Sequence, residues 1–199
     1  MRRTARKSVG TGGVPVDVVN ERPRAHRPEL FVLCDISGSV AEFSLFTLTL
    51  MAALSAEVAR TRSFVFADGI DEVTELLART EHGIEPWQLM RNTNVVRDDG
   101  HSDYGSVLQQ FWDEIGSADL RSSSTVLITG DARSNHREPL DAVLGDIAGR
   151  CRRVYWLNPE PRDEWDTHDS VMERYAAHCS DVFEVRTLRQ LAAAVEEVL

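Results

Sequence analysis

The chain has 199 residues, of which 42% are hydrophobic and 27% charged, and it carries a formal net charge of −10. Its length and composition fit one globular domain with a full core, and its negative charge disfavours nucleic acid as the main partner. No apolar run approaches the roughly 20 residues that cross a membrane, and no apolar segment follows the basic start. We therefore expect neither a membrane anchor nor a secretory signal, and we place the protein in the cytoplasm.

The first 29 residues have a composition of their own. They contain seven Lys and Arg residues against three Asp and Glu residues, a net charge of +4, so the remainder of the chain carries −14. Residues 10–13 are Gly-Thr-Gly-Gly, residues 21–28 contain two prolines, and apolar residues show little periodicity, which is typical of extended chain. We predict a basic lead-in or linker over residues 1–29 and one folded domain over residues 30–199.

Strand-like and helix-like segments alternate from residue 30 onward. Short, continuous apolar runs predict strands that are buried on both faces, and apolar residues at helical spacing predict amphipathic helices between them. The predicted strands are residues 30–35, 63–67, 71–77, 125–129, 153–157 and 181–185. The predicted helices are residues 42–60, 104–115, 139–149, 170–178 and 188–199.

This alternation predicts an α/β fold with an open, mostly parallel, doubly wound sheet and helices on both of its faces. One edge strand, residues 71–77, is expected to run antiparallel to its neighbour because a tight Asp68-Gly69 turn connects the two. In open α/β sheets, ligands bind beyond the carboxyl ends of the strands, so that edge is where functional residues are expected.

Oxygen-bearing side chains cluster at that edge. Asp35 ends the first strand, and Ser37 and Ser39 follow it; Asp131 follows the fourth predicted strand, and Ser102 lies in a polar loop just before a predicted helix. Two carboxylates and three hydroxyls, without a soft ligand, suit a hard cation, and Mg2+ fits best, with Mn2+ or Ca2+ as alternatives. Because hydroxyls leave the charge of the cation undercompensated, an Asp or Glu of a partner protein would complete its coordination.

Each of these residues also has a purely structural interpretation. Asp35, Ser37 and Ser39 could form a turn or cap the following segment, and Ser102 could cap the helix after it, with or without binding a metal. Asp131 could be a solvated acidic residue of its loop. Asp103 is a competing ligand in the same loop, or it hydrogen-bonds a metal-binding serine without touching the metal. Three residues near these loops could form the rim that contacts a partner: Tyr104, Arg133 and Asn135.

The five predicted ligands resemble the metal-ion-dependent adhesion site of von Willebrand factor A domains. The family's first-loop motif matches Asp35, Ser37 and Ser39, its third-loop aspartate matches Asp131, and Ser102 stands where the family has a threonine, which keeps the hydroxyl. The resemblance implies a von Willebrand A, Rossmann-like fold, with the serines touching the metal directly and the aspartates often acting through water. Four stretches resemble the CoxE-like bacterial branch of the family: residues 31–39, 99–105, 130–135 and 153–160.

The same resemblance implies a function in protein interaction. CoxE-like proteins are often encoded with MoxR-type AAA+ ATPases and are thought to act in enzyme assembly or metal insertion, so the implied partner is such an ATPase or its client. We therefore predict a metal-dependent protein–protein interaction module rather than an enzyme, acting in the assembly or maturation of a client complex.

Two other functions are compatible with parts of the sequence. A strand-end Asp with Mg2+ could serve phosphoryl transfer or hydrolysis, but haloacid dehalogenase-type enzymes need Asp where this chain has Ser37, and the only lysine is Lys7 in the lead-in. Neither a Gly-x-Ser-x-Gly elbow nor a P-loop motif is present. An RNA-associated module is the second alternative, and the acidic body argues against it.

Overall fold

The computed structural model describes residues 29–38, 47–51, 54, 58, 60–79 and 86–198. Almost all of the predicted lead-in therefore lies outside the described residues, and so does Ser39. Most of the predicted helix 42–60 also lies outside them, although its residues 47–51 and 54 are described and are helical.

A six-stranded sheet forms the centre of the described structure, in the order β3-β2-β1-β4-β5-β6. Neighbouring strands run parallel except β2 and β3, which pair antiparallel at one edge. The predicted open, mostly parallel sheet with one antiparallel edge strand is therefore confirmed. The strands are β1 Leu30–Asp35, β2 Thr61–Phe66, β3 Ile70–Glu72, β4 Thr125–Thr129, β5 Arg153–Asn158 and β6 Asp181–Glu184.

Helices occupy the connections between the strands. Helix α4, Tyr104–Phe111, continues as a π-helical turn, Trp112–Gly116, and then as Ser117–Asp119. A 3-10 turn, Arg162–Glu164, follows β5. Within the described part of the chain, no helix is long and apolar enough to cross a membrane. The helices are α1 47–51, α2 Thr74–Ala78, α3 Pro86–Asn92, α4 Tyr104–Phe111, α5 Asp141–Arg150, α6 Met172–Ala176 and α7 Leu188–Val198.

Two hydrophobic cores lie on opposite faces of the sheet because side chains alternate along a strand. Along β1, Phe31 and Leu33 belong to one core, and Val32 and Cys34 belong to the other. Residues of α4, α5 and α6 complete the first core, and residues of α1, α2, α3 and α7 complete the second. The predicted helices on both faces are confirmed, and burial of both faces explains why β1 is apolar throughout its length before Asp35.

The segment after the Asp68-Gly69 turn differs from its prediction. β3 ends at Glu72 and α2 begins at Thr74, so the predicted strand 71–77 is wrong beyond residue 72. The backbone N–H of Ser63 donates to the Thr74 hydroxyl at 2.9 Å instead of continuing the ladder, and the following Glu-Leu-Leu-Ala residues are strong helix formers. Helix α3 was not predicted, and the proline at its first position is its main local signal.

The first turn of α4 is docked on the loop that follows β4. Asp103 caps α4, since its carboxylate accepts the backbone N–H of Ser106 at 3.0 Å. Gly105, in this turn, faces the backbone of residues 138 and 139. This docking fixes the position of the loop before α4 relative to the loop after β4, and these two loops carry two of the predicted metal ligands.

Gly105→Ala should destabilise the protein, because a Cβ at this position would lie 2.1 Å from the carbonyl oxygen of Glu138. We expect a loss of about 1–3 kcal/mol in the free energy of unfolding, as for other overpacked sites. Gly149→Ala is the matched control: it also replaces a helical glycine, but no neighbouring atom lies within 4 Å of a Cβ there, so it should stabilise by up to about 1 kcal/mol. Urea unfolding measures both, and equal effects would contradict the docking of α4.

Candidate metal site

Asp35 is the last residue of the central strand β1, and its side chain is buried, with 1% of its surface exposed. One carboxylate oxygen, Oδ1, accepts the backbone N–H of Ser37 at 2.8 Å. The other, Oδ2, lies 2.7 Å from the Ser102 hydroxyl and 2.6 Å from the Tyr104 hydroxyl. Donors from two separate loops therefore converge on a single buried carboxylate.

Ser37 and Ser102 bring their hydroxyls together beside this carboxylate. The Ser102 Oγ lies 2.7 Å from the Ser37 Oγ as well as 2.7 Å from Asp35 Oδ2, and both serines are buried. A hydroxyl carries one proton, so Ser102 can donate to only one of these oxygens at a time. Adjacent oxygens in an octahedral Mg2+ shell with metal–oxygen distances of about 2.1 Å lie about 3.0 Å apart, so small shifts of these hydrogen-bonded oxygens would make them neighbouring ligands of one small cation.

Asp131 reaches the same place from the end of β4. It is 2% exposed, and its Oδ1 accepts the backbone N–H of Arg133 at 3.0 Å and lies 3.2 Å from the Tyr104 hydroxyl. Tyr104 thus contacts both predicted acidic ligands. The preceding Gly130 makes this approach possible, since a Cβ there would lie 2.1 Å from the Tyr104 hydroxyl oxygen.

The structure brings together four of the five predicted ligands: Asp35, Ser37, Ser102 and Asp131 are joined by the hydrogen bonds above. Ser39 lies outside the described residues. Asp103 caps α4, and its carboxylate also faces the Arg137 guanidinium at 3.6 Å. Ser102 is not the cap of α4, because Asp103 takes that role.

Of the three residues that could form a recognition rim, Tyr104 is buried, whereas Arg133 and Asn135 are half-buried. Tyr104 is 2% exposed, so the structure contradicts its place on a rim. The Arg133 guanidinium donates to Glu160 at 2.8 Å and to Asp169 at 3.0 Å. The Asn135 amide donates to the carbonyl oxygen of Ser102 at 2.9 Å, which ties the loop after β4 to the predicted ligand before α4.

Asp68 fixes the loop that leads to Ser102, a role that sequence reasoning missed. Its carboxylate accepts four consecutive backbone N–H groups, those of residues 97–100, at 2.7 to 3.2 Å. Burial of this side chain raises its pKa, but the four N–H donors outweigh burial and leave the pKa below its ordinary value. The Asp-Gly turn was the only sequence signal at this position, and it indicates a turn rather than a long-range anchor.

The electrostatics of the site are unfavourable without a cation. Burial, and then the negative charge of Asp131, raises the pKa of Asp35 from 3.8 to about 6, against the hydrogen bonds from Tyr104, Ser37 and Ser102. Burial and the two carboxylates also raise the pKa of Tyr104 well above its usual range, so the phenol is a neutral donor. A bound cation would relieve the repulsion between the two acidic residues.

The donor chemistry fits a hard cation. The predicted ligands offer carboxylate and hydroxyl oxygens and no thiol or imidazole, the set that Mg2+ and similar ions prefer. Among the residues that the structure describes, no three His, Cys, Asp or Glu side chains gather at one point to hold a metal ion. An ion bound beside Asp35 and Asp131 would therefore depend on the serine hydroxyls.

Stability of the metal-free protein should depend on the protonation of Asp35. Its pKa of about 6 in the folded protein exceeds the ordinary 3.8, so the folded state binds this proton more tightly, and the free energy of unfolding falls as pH rises from about 4 to about 6. The difference corresponds to about 3 kcal/mol at most. Asp35→Asn removes this titration, so in EDTA it should gain stability over the wild type between about pH 4 and pH 7. Urea unfolding tests this, and a pH-independent difference between the two proteins would contradict it.

Asp68→Ala should loosen the loop before Ser102, because four N–H groups lose their acceptor. We expect faster hydrogen exchange of the amides of residues 97–100 and about tenfold weaker Mg2+ binding, as for other groups that orient a ligand. Asp71→Ala is the control, since its carboxylate accepts a single N–H, that of Asn94. Unchanged exchange at residues 97–100 in Asp68→Ala would contradict this role.

Solved structures share this fold at low sequence identity. Proximal thread matrix protein 1 from the mussel byssus matches with a TM-score of 0.56 and 14% identity over 86% of this chain and 47% of its own, so this chain spans about half of that protein's length. A structure of that protein with a zinc-occupied MIDAS motif matches with the same TM-score. The PilB minor pilin from Streptococcus sanguinis matches with a TM-score of 0.52 and 10% identity over 89% of this chain and 62% of its own. At these identities, the likeness shows the fold alone.

The sequence itself was compared with protein families and with curated proteins. Nothing among the curated proteins matched. A family match extends over residues 1–194, and the family is described as "VWA domain containing CoxE-like protein". Because the match covers nearly the whole chain and the sheet has the expected architecture, the chain belongs to the CoxE-like family of von Willebrand factor A domain proteins.

Proposed function

We propose that this domain holds a Mg2+ ion through Asp35, Ser37, Ser39, Ser102 and Asp131 and uses it to bind a partner protein. The observation that carries the proposal is a group of three buried oxygens: Ser102 Oγ lies 2.7 Å from Asp35 Oδ2 and 2.7 Å from Ser37 Oγ. The family supports it, since von Willebrand factor A domains are typically metal-dependent protein-interaction modules.

The choice of Mg2+ follows from the small number of charged ligands. Two carboxylates and several hydroxyls match the habit of Mg2+, which binds one or two carboxylates and keeps other neutral oxygen ligands. The mussel protein with a similar fold has a zinc-occupied MIDAS motif, so the fold also accepts other divalent ions. Mn2+ and Ca2+ are therefore the competing ions to test beside Mg2+.

The partner would supply an acidic side chain. When bound, the cation offers a coordination position to a carboxylate oxygen of the partner, and the domain's own residues orient that position. Asp35, Ser37 and Ser102 are buried and held by hydrogen bonds, so their oxygens are already in place before a partner arrives. By family resemblance, the proposed partner is a MoxR-type AAA+ ATPase or its client in the cytoplasm.

Asp131→Ala should abolish metal binding and metal-dependent partner binding while the sheet stays folded. Calorimetric titration of the EDTA-treated protein with Mg2+ should give about one ion per wild-type chain and no binding to the variant. Asp146→Ala is the control, because it removes an equal charge from an exposed position of α5, and it should bind Mg2+ as the wild type does.

The partner is tested with the same three proteins. The wild type and Asp146→Ala should co-purify with the co-expressed ATPase in Mg2+ and release it in EDTA, and Asp131→Ala should not bind it. Binding of the ATPase that survives EDTA and is equal in all three proteins would contradict a metal-mediated contact. Wild-type protein that binds none of the three ions would contradict the metal site itself.

A further inference from the structure

Tyr104 lies between the two acidic side chains of the candidate metal site. Its hydroxyl oxygen is 2.6 Å from Asp35 Oδ2 and 3.2 Å from Asp131 Oδ1. A phenol has one proton, so it donates to one carboxylate at a time, and the shorter distance assigns the proton to Asp35.

Both oxygens of Asp35 are engaged by protein donors. Oδ1 accepts the N–H of Ser37, and Oδ2 is flanked by the hydroxyls of Tyr104 and Ser102. A cation that chelated Asp35 through both oxygens would compete with these donors, most directly at Oδ2, where two hydroxyls already lie. A cation bound through one oxygen, or through a water molecule, would leave most of them in place.

The Tyr104 hydroxyl has little freedom to move aside. Its ring packs against those of Phe66, Trp156 and Tyr175, with centroid distances of 5.3, 5.5 and 6.1 Å. The hydroxyl also fills the space beside Gly130, where a Cβ would overlap it. The orientation that it imposes on Asp35 is therefore built into the core and does not depend on a mobile surface group.

This restraint discriminates between divalent cations. Ca2+ takes about six to eight oxygens and often binds carboxylates through both oxygens at once, whereas Mg2+ takes six, keeps water ligands and uses few carboxylates. A site whose central carboxylate accepts hydrogen bonds at both oxygens disfavours chelation through both of them and is therefore suited to the smaller ion.

We propose that Tyr104 sets the preference of this site for Mg2+ over Ca2+ by holding Asp35 and contacting Asp131 with one neutral hydroxyl. The proposal rests on the metal-dependent function proposed above. It adds a specificity-determining residue that does not itself bind the metal.

The test compares Tyr104→Phe with Tyr175→Phe. Each removes one buried hydroxyl from the same aromatic cluster, but the Tyr175 hydroxyl donates to the Pro139 carbonyl rather than to an acidic residue. Calorimetry with Mg2+ and with Ca2+ gives the ratio of the two affinities for each protein. The ratio should fall about tenfold in Tyr104→Phe, in line with other groups that orient a metal ligand, and should stay at the wild-type value in Tyr175→Phe.

A purely structural role would not change this ratio. If both affinities fall together in Tyr104→Phe, or if the two variants behave alike, the selectivity role is wrong while the metal site stands. If the wild type binds neither ion, the proposed function fails as well, so the two failures are distinguishable. Tyr104→Phe keeps the ring and its packing against Phe66, Trp156 and Tyr175, so it removes only the hydroxyl and should fold as the wild type does.

Discussion

A carboxylate buried at the end of a central strand must be satisfied by nearby donors, because an uncompensated buried charge costs several kcal/mol. Asp35 meets this requirement with groups from outside its own strand: the Ser37 N–H after β1, the Ser102 hydroxyl before α4 and the Tyr104 hydroxyl at its start. The loops around the strand end are therefore organised by one side chain. Their convergence on Asp35 is what creates a cluster of oxygens there.

The order of the strands brings the second acidic residue to the same place. β1 and β4 are neighbours at the centre of a parallel sheet, so the residues that follow them leave at one edge. Two further contacts keep the loops in position: Asp68 holds the backbone of residues 97–100, and Asn135 binds the Ser102 carbonyl. The fold thus sets the positions of the four predicted ligands that the structure describes: Asp35, Ser37, Ser102 and Asp131.

Much of this could be predicted from the sequence, for a physical reason. A parallel strand buried on both faces is apolar throughout, so β1 and β4 were recognisable, and polar residues directly after them stand out. Tyr104 could not be assigned in this way, because an aromatic residue at the start of a helix suits core packing or a rim equally well. Its contact with Asp35 joins residues 69 positions apart, and only tertiary structure brings them together.

The error over residues 71–77 has the same origin. The sequence Asp-Glu-Val-Thr-Glu-Leu-Leu does not alternate strictly between polar and apolar residues, and its second half contains strong helix formers. The strand ends at Glu72, and just beyond it the Thr74 hydroxyl accepts the N–H of Ser63. The local sequence pattern was therefore enough to predict strands such as β1 and β4, because burial on both faces makes such strands apolar. It failed where the strand is short and a contact between neighbouring strands, which the local pattern does not show, lies at its end.

The charge of the protein bears on how such a site would work. Residues 30–199 carry a net charge of −14. They therefore repel an acidic partner within about 8 Å, and at larger distances physiological salt screens the repulsion. Attraction would arise only at contact, where a cation held by two carboxylates and neutral hydroxyls still lacks negative ligands. Binding of this kind depends on the ion, so the affinity for the partner would follow the fraction of the domain that holds the metal. Association would not be fast, because no long-range electrostatic attraction guides the partner to the site. A hydroxyl-rich ligand set in an acidic domain is consistent with a contact that is switched on by the metal.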